Sequence, residues 1–152
     1  MRQILLFAGS ALFPLAALVA GFAGVAPAAW AALAYMTLFV ALADQLLPRA
    51  AAGAMPDSEF PAADGLLVMV GFSALLVLPF GVDALVDPSG PGLATRVASG
   101  LALGLWLGQV AVPAAHELIH RGSFRFVRLG VAIYAMLLFG HHASAHRLVH
   151  HR

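Results

Sequence analysis

Four long apolar stretches occupy most of this chain and constrain what it can fold into. They cover residues 4–25, 30–47, 65–86 and 94–115. A helix needs about 20 apolar residues to cross a hydrocarbon core of about 30 Å. Over all 152 residues, 62% are hydrophobic and 10% are charged, whereas soluble domains average about 45–50% and about 25%. The sequence therefore predicts an all-α integral membrane protein, a single membrane domain over residues 1–152 with about four transmembrane helices.

The first apolar stretch has a second interpretation as a secretory signal peptide, because residues 25–29 resemble a small-residue cleavage site. Its apolar run is about 22 residues long, whereas a signal peptide carries roughly 7–15. We therefore expect an uncleaved first span.

The arginines predict the orientation of the spans. All eight basic residues are Arg. With the N-terminus in the cytoplasm, seven of them fall on the cytoplasmic side and only Arg96 falls outside. Because basic residues concentrate in cytoplasmic loops, we expect a multi-pass protein of a bacterial-type inner (plasma) membrane with a cytoplasmic N-terminus.

A short interfacial or re-entrant helix is predicted after the fourth stretch. Residues 121–128 alternate Arg with Phe and Val, as expected at a membrane surface. Residues 129–140 are apolar, but a helix of that length extends only about 18 Å. We expect this segment to lie at the interface or to dip into the membrane and return.

Three glycines lie on one face of the fourth stretch, at Gly100, Gly104 and Gly108. Small residues at this spacing permit close helix contact in lipid. The alternative is that the missing side chains leave room for a substrate channel. Pro113 follows in the same stretch and is expected to kink the helix.

The absence of cysteine and the low net charge exclude several functions. Without Cys the chain cannot hold an Fe–S cluster, a thiolate-bound haem or a Cys-type zinc site. A net charge of +1 does not indicate binding of nucleic acid.

All seven histidines lie between His116 and His151. His116 and His120 are four residues apart, and His146 and His150 repeat that spacing with His151 directly after. Imidazoles at this spacing share one face of a helix and can hold one metal ion. Iron, zinc, copper and nickel all suit imidazole. We therefore predict that these five side chains are metal ligands.

Three neighbouring residues are predicted to support the ligands. His141 and His142 lie outside the two boxes, and we expect them to act as partners of the ligands or at the interface. Glu117 is expected to accept a hydrogen bond from a ligating imidazole, since the second ring nitrogen of such a group needs a partner.

A zinc metalloprotease is one alternative. The run His116-Glu117-x-x-His120 matches the zinc-protease helix, in which Glu117 would be the general base. This interpretation leaves most of the second box, residues 146–151, unexplained.

The two boxes together resemble the membrane-bound di-iron hydroxylases and desaturases. HELIHR at 116–121 and HRLVHH at 146–151 are most similar to the boxes of the alkane 1-monooxygenase family. The gap between the boxes, the four preceding spans and Asp44 also resemble that family. Ala145 stands where the family usually has Glu, and no third box occurs in the 152 residues. We therefore expect the chain to be the N-terminal part of a longer enzyme.

The resemblance implies a cofactor of two non-haem iron ions held in part by the five predicted ligands. It implies hydroxylation of the terminal methyl group of an alkane taken from the bilayer, with O₂ and with electrons from rubredoxin and rubredoxin reductase. The basic residues from Arg121 to Arg128 would dock that acidic donor or contact membrane lipid. A fatty acid desaturase or related hydroxylase, and a non-catalytic membrane remnant, are further alternatives.

Overall fold

A computed structural model describes residues 2–42, 45 and 63–149, and within these ranges it describes the side chains from residue 8 to residue 145. Every element in this part of the chain is a helix, which confirms the all-α prediction. The elements are α1 (Arg2–Phe22), α2 (Ala26–Ala34), π1 (Tyr35–Phe39), α3 (Ala63–Val86), α4 (Leu93–Trp106), π2 (Leu107–Ala111), α5 (Val112–His120), α6 (Phe124–Met136) and α7 (His141–Val149). Asp44 lies outside the described residues.

Two helices are long and apolar enough to cross a membrane. They are α3, with 24 residues and a mean hydropathy of 2.3, and the continuous helix Leu93–His120, with 28 residues and a mean hydropathy of 1.5. The first two predicted spans correspond to shorter apolar helices, Ala8–Phe22 and Ala26–Leu42. The count of four spans therefore stays a prediction.

A proline in α1 organises the contacts between α1 and its neighbours. Pro14 lacks the N–H that would bond the carbonyl of Ser10. The hydroxyl of Tyr35 donates to that carbonyl at 2.9 Å. The buried indole N–H of Trp106 donates to the carbonyl of Ala11 at 2.8 Å. Side chains from π1 and α4 thus join the backbone of α1 beside the proline.

Arg96, the one arginine predicted to lie outside, closes the loop between α3 and α4. Its guanidinium donates to the carbonyls of Pro91, Leu85 and Pro88. In the same loop, the hydroxyl and the backbone N–H of Ser89 donate to Asp87, and these bonds lower the pKa of that carboxyl. The arginine therefore holds the turn that pairs α3 with α4.

A close contact between α5 and α6 is made at Gly130 of α6. A Cβ there would lie 2.7 Å from the carbonyl oxygen of Ala115 and 2.8 Å from Cγ2 of Ile119. The backbones of α5 and α6 therefore approach more closely than any side chain would allow. On its other side α6 meets α3, where a Cβ at Gly71 would lie 3.0 Å from Leu129.

The glycines of the fourth stretch do not make such contacts. A Cβ at Gly104 or Gly108 would meet no heavy atom within 4 Å, and one at Gly100 would meet only Leu85, at 3.5 Å. The prediction that this pattern packs closely against another helix is wrong for the part of the chain that the structure describes. Both Gly104 and Gly108 are exposed, and the tight positions lie on other helices.

One helix, α6, covers the segment that the sequence divides into a basic half and an apolar half. It begins at Phe124 and ends at Met136, so Arg125 and Arg128 belong to the same helix as the apolar residues. Gly130, Ile133 and Tyr134 are buried on one face. The helix runs along α3 and is too short, at about 20 Å, to cross a membrane.

We expect Gly130→Ala to destabilise the protein by about 1–3 kcal/mol, because the new methyl group meets the carbonyl of Ala115 and the two helices must separate. The matched control is Gly104→Ala, whose methyl group enters open space in a helix and should be neutral or stabilising. Thermal unfolding in detergent measures both. Equal losses of stability in the two variants would contradict the proposed contact.

We expect Tyr35→Phe to cost about 1 kcal/mol, because it removes the hydrogen bond to Ser10 and keeps the ring. Tyr134→Phe is the control. The hydroxyl of Tyr134 is buried and has no hydrogen-bond partner among the described residues, so its removal should not destabilise. Chemical unfolding measures the free energy of unfolding of both variants. A larger loss of stability in Tyr134→Phe than in Tyr35→Phe would show that the hydroxyl of Tyr35 does not make the stabilising hydrogen bond.

Candidate metal centre

The first histidine box lies at the end of the longest apolar helix. A π-helical turn, π2, ends at Ala111, two residues before Pro113, and α5 continues from Val112 to His120. His116 and His120 are one turn apart on this helix, as the sequence predicts. His116 is half-buried and His120 is exposed. The pair is therefore fixed to a packed helix on one side and accessible on the other.

The two imidazoles face each other at a distance that lets both bind one metal ion. Their Nε2 atoms are 3.3 Å apart and their ring centroids 4.6 Å apart. Two nitrogens that each lie about 2.1 Å from one ion are separated by about 3–3.4 Å. The same geometry also lets one neutral imidazole donate an N–H to the other. The pair thus fits a metal ion without rearrangement of the helix.

The opposite face of α5 anchors this pair. Leu118 and Ile119 are buried, and the contact at Gly130 holds the backbone one residue before His116. At about 100° per residue, Leu118 lies on the side of the helix opposite the two histidines, so its burial leaves the histidines on the outer side.

An ion pair holds the end of the box. Nε of Arg121 lies 3.1 Å from Oδ1 of Asp64. Asp64 lies in the first turn of α3, which begins at Ala63. An acidic residue just before an apolar stretch is a signal for a helix start, so this position of Asp64 was detectable from the sequence, whereas its pairing with Arg121 was not.

The second box is only partly described. Residue 146 lies in α7, one turn after His142. The side chain of His146 and the whole of His150 and His151 lie outside the described residues. Of the five predicted ligands, the structure brings together His116 and His120. Within the described part no group of three or more metal-binding side chains occurs.

His142 lies in an aromatic cluster at the start of α7. The ring of Phe139 stacks on it at 4.9 Å, and the ring of Tyr134 meets it edge-on at 5.0 Å. His141 contacts Phe139 at 4.8 Å. Burial raises the pKa of the Tyr134 hydroxyl. The two histidines that the sequence places beside the ligands thus pack at the start of the helix that carries residue 146.

The turn before this cluster has an unusual residue. The N–H of Phe139 donates to the carbonyl of Tyr134 and that of Leu138 to Ala135, which is the Schellman pattern at a helix end. Leu138 occupies the left-handed position, with φ 59°, where glycine is usual. This turn sets the direction of α7 relative to α6.

Glu117 is exposed on α5. It lies between the two histidines in sequence, about 100° around the helix from His116. The structure therefore places it beside the pair on a neighbouring face, and its role stays a prediction.

An open groove of about 490 Å³ lies between the two π-helical turns. Its walls are mostly apolar, with one hydroxyl and one amide side chain: Met36, Thr37, Val40, Ala41, Leu105 and Gln109. Gln109 precedes His116 by seven residues, two turns or about 10 Å along the same helix. π-Helical turns often mark functional sites. Sequence periodicity does not reveal π-helical turns. The sequence signal that could have indicated this groove was the presence of polar residues, Thr37 and Gln109, within apolar helices.

No protein-family model matches this chain, and neither a curated protein nor a solved structure does. The site is therefore interpreted from its own residues.

We expect His116→Ala and His120→Ala each to weaken binding of Zn²⁺ or Fe²⁺ by at least about 100-fold, because each variant removes one of two paired ligands. Asp83→Asn, which changes an exposed carboxylate of α3, should leave the affinity unchanged. Metal titration of the detergent-solubilised protein measures this. Full affinity in both histidine variants would show that the pair is not part of a metal site.

Proposed function

We propose that this chain carries the first two histidine boxes of a membrane-bound, non-haem di-iron monooxygenase that hydroxylates the terminal methyl group of alkanes. The observation that supports this most is the His116–His120 pair, with its 3.3 Å separation at the end of a 28-residue apolar helix. His146, His150 and His151 would be the other three iron ligands from this chain. Further ligands would come from outside residues 1–152. When bound, two irons supply the chemistry that inserts one oxygen atom of O₂ into a C–H bond.

The balanced reaction needs two electrons and two protons. An alkane and O₂ give a primary alcohol and water. In this proposal rubredoxin and rubredoxin reductase deliver the electrons. The chain itself would bind the substrate, orient it toward the histidines and keep bulk water away from its apolar part.

The length and composition of α3 and of Leu93–His120 support association with a membrane, and the proposal assigns the chain to a bacterial-type inner membrane. The His pair lies in the last two turns of its apolar helix, so in this proposal it would lie at the cytoplasmic membrane boundary. Ionisable side chains at that depth are usually functional. A substrate dissolved in the bilayer would then reach the site without crossing water.

The groove beside π2 is a suitable approach for such a substrate. It opens between helices that we assign to the membrane, and its apolar walls end two turns before His116. An apolar wall cannot orient an alkane through hydrogen bonds, so shape would select the chain length. The exposed Gly104 and Gly108 lie beside Leu105 and Gln109, which agrees with the channel alternative for this glycine pattern.

The decisive experiment is elemental analysis of the detergent-purified chain and of the product of its complete reading frame. We expect about two irons in the complete product, and in its membranes a primary alcohol from octane when rubredoxin, its reductase and NADH are added. His120→Ala should lose iron and product, whereas Asp83→Asn should keep both.

Other metal contents would overturn the proposal in distinct ways. One zinc per chain, with peptide hydrolysis lost in Glu117→Gln, would establish the metalloprotease. Two irons with an alkene in an acyl chain as product would establish a desaturase. No metal in either protein would leave a membrane remnant without catalysis.

A further inference from the structure

One face of α6 is not covered by the residues that the structure describes. Phe124 is 73% exposed, Val131 is 37% exposed and Leu138, just after the helix, is 92% exposed. Arg128 and Ala135 lie between them and are also exposed. The four helical positions fall within about 60° around the helix axis. They form a stripe about 20 Å long, which we call the α6 stripe.

The α6 stripe is charged at its N-terminal end and apolar at its C-terminal end. Arg125 and Arg128 lie at its N-terminal end, and the guanidinium of Arg128 lies 5.7 Å from the ring centroid of Phe124. Among the described residues neither arginine makes an ion pair. The chain has no Asp or Glu after Glu117. Asp64, on the adjacent α3, is paired with Arg121. The charged end therefore presents two cations and the other end presents side chains without charge.

Leu138 is the least expected residue of the α6 stripe. Its φ of 59° is a conformation that glycine adopts without strain and leucine does not. Its side chain is almost fully exposed, so burial in this chain does not offset the strain. An apolar side chain held in this way is explained by a contact outside the chain.

We propose that the α6 stripe binds one anionic phospholipid. The phosphate lies between Arg125 and Arg128, and an acyl chain runs along Val131, Ala135 and Leu138. The order of a phospholipid, an anion followed by about 15 Å or more of hydrocarbon, matches the order of the stripe. This inference does not depend on the metal site.

Charge argues against the other occupants. A second copy packed in parallel would place arginines against arginines, and an antiparallel copy would bury them against Leu138 without a partner. An acidic electron donor would pair with the arginines but would leave the apolar part of the stripe exposed to water. A lipid satisfies both ends.

Native mass spectrometry of the detergent-purified chain tests the headgroup. Phosphatidylglycerol and phosphatidylcholine with the same acyl chains are added separately. We expect one phosphatidylglycerol to be retained at least about 10-fold more than phosphatidylcholine. Arg125→Gln combined with Arg128→Gln should abolish the preference. Arg49→Gln combined with Arg147→Gln removes the same charge at positions outside residues 124–138 and should keep it.

A second variant tests whether Leu138 contacts the acyl chain. If Leu138 had only a structural role, stability and lipid retention would not change in opposite directions. Leu138→Asn suits the left-handed backbone, so we expect it to raise the melting temperature in lipid-free detergent. The same variant should lower phosphatidylglycerol retention several-fold, because the apolar contact is lost.

Four results would overturn the proposal. They are equal retention of the two lipids, unchanged retention in the Arg125/Arg128 variant, a dimer mass that disappears in Leu138→Asn, or loss of rubredoxin binding in the Arg125/Arg128 variant with lipid retention intact. The last two would assign the face to a second copy or to the electron donor.

Discussion

The backbone contact between α5 and α6 is the constraint on which the histidine pair depends. At Gly130 the two helices meet with no room for a Cβ, and the partner is the carbonyl of Ala115, directly before His116. This contact, with the Arg121–Asp64 ion pair at the end of α5, fixes the rotation of the helix and hence the side to which both imidazoles point.

Irregular backbone in this fold is compensated by particular side chains. Pro14 removes a donor from α1, and the hydroxyl of Tyr35 takes its place on the carbonyl of Ser10. The wider turn π2 ends two residues before Pro113, and π1 faces it across the groove that ends near Gln109. The departures from α-helix thus fall at helix contacts and beside the candidate site, where an unpaired backbone group in an apolar setting would be expensive.

Local patterns predicted the helices and the ligand pair because both depend on short spacings. His116 and His120 meet because any helix brings residues four apart together. The pattern Gly100, Gly104 and Gly108 was misleading, since glycine spacing permits contact but does not specify which helix faces it. Sequence also divided α6 at Arg128, because polarity changes there although the helical backbone continues.

The sequence by itself determined the helical class, the apolar lengths and the pairing of imidazoles within one turn, since these follow from local geometry and hydrophobic content. Tertiary structure alone decided which glycine is tight, that Asp64 meets Arg121, that two π-helical turns share a groove, and which face of α6 stays open. Each of these depends on residues far apart in the chain, such as Gly130 with Ala115 and Met36 with Gln109. Their proximity is set by how whole helices pack, which no short sequence pattern encodes.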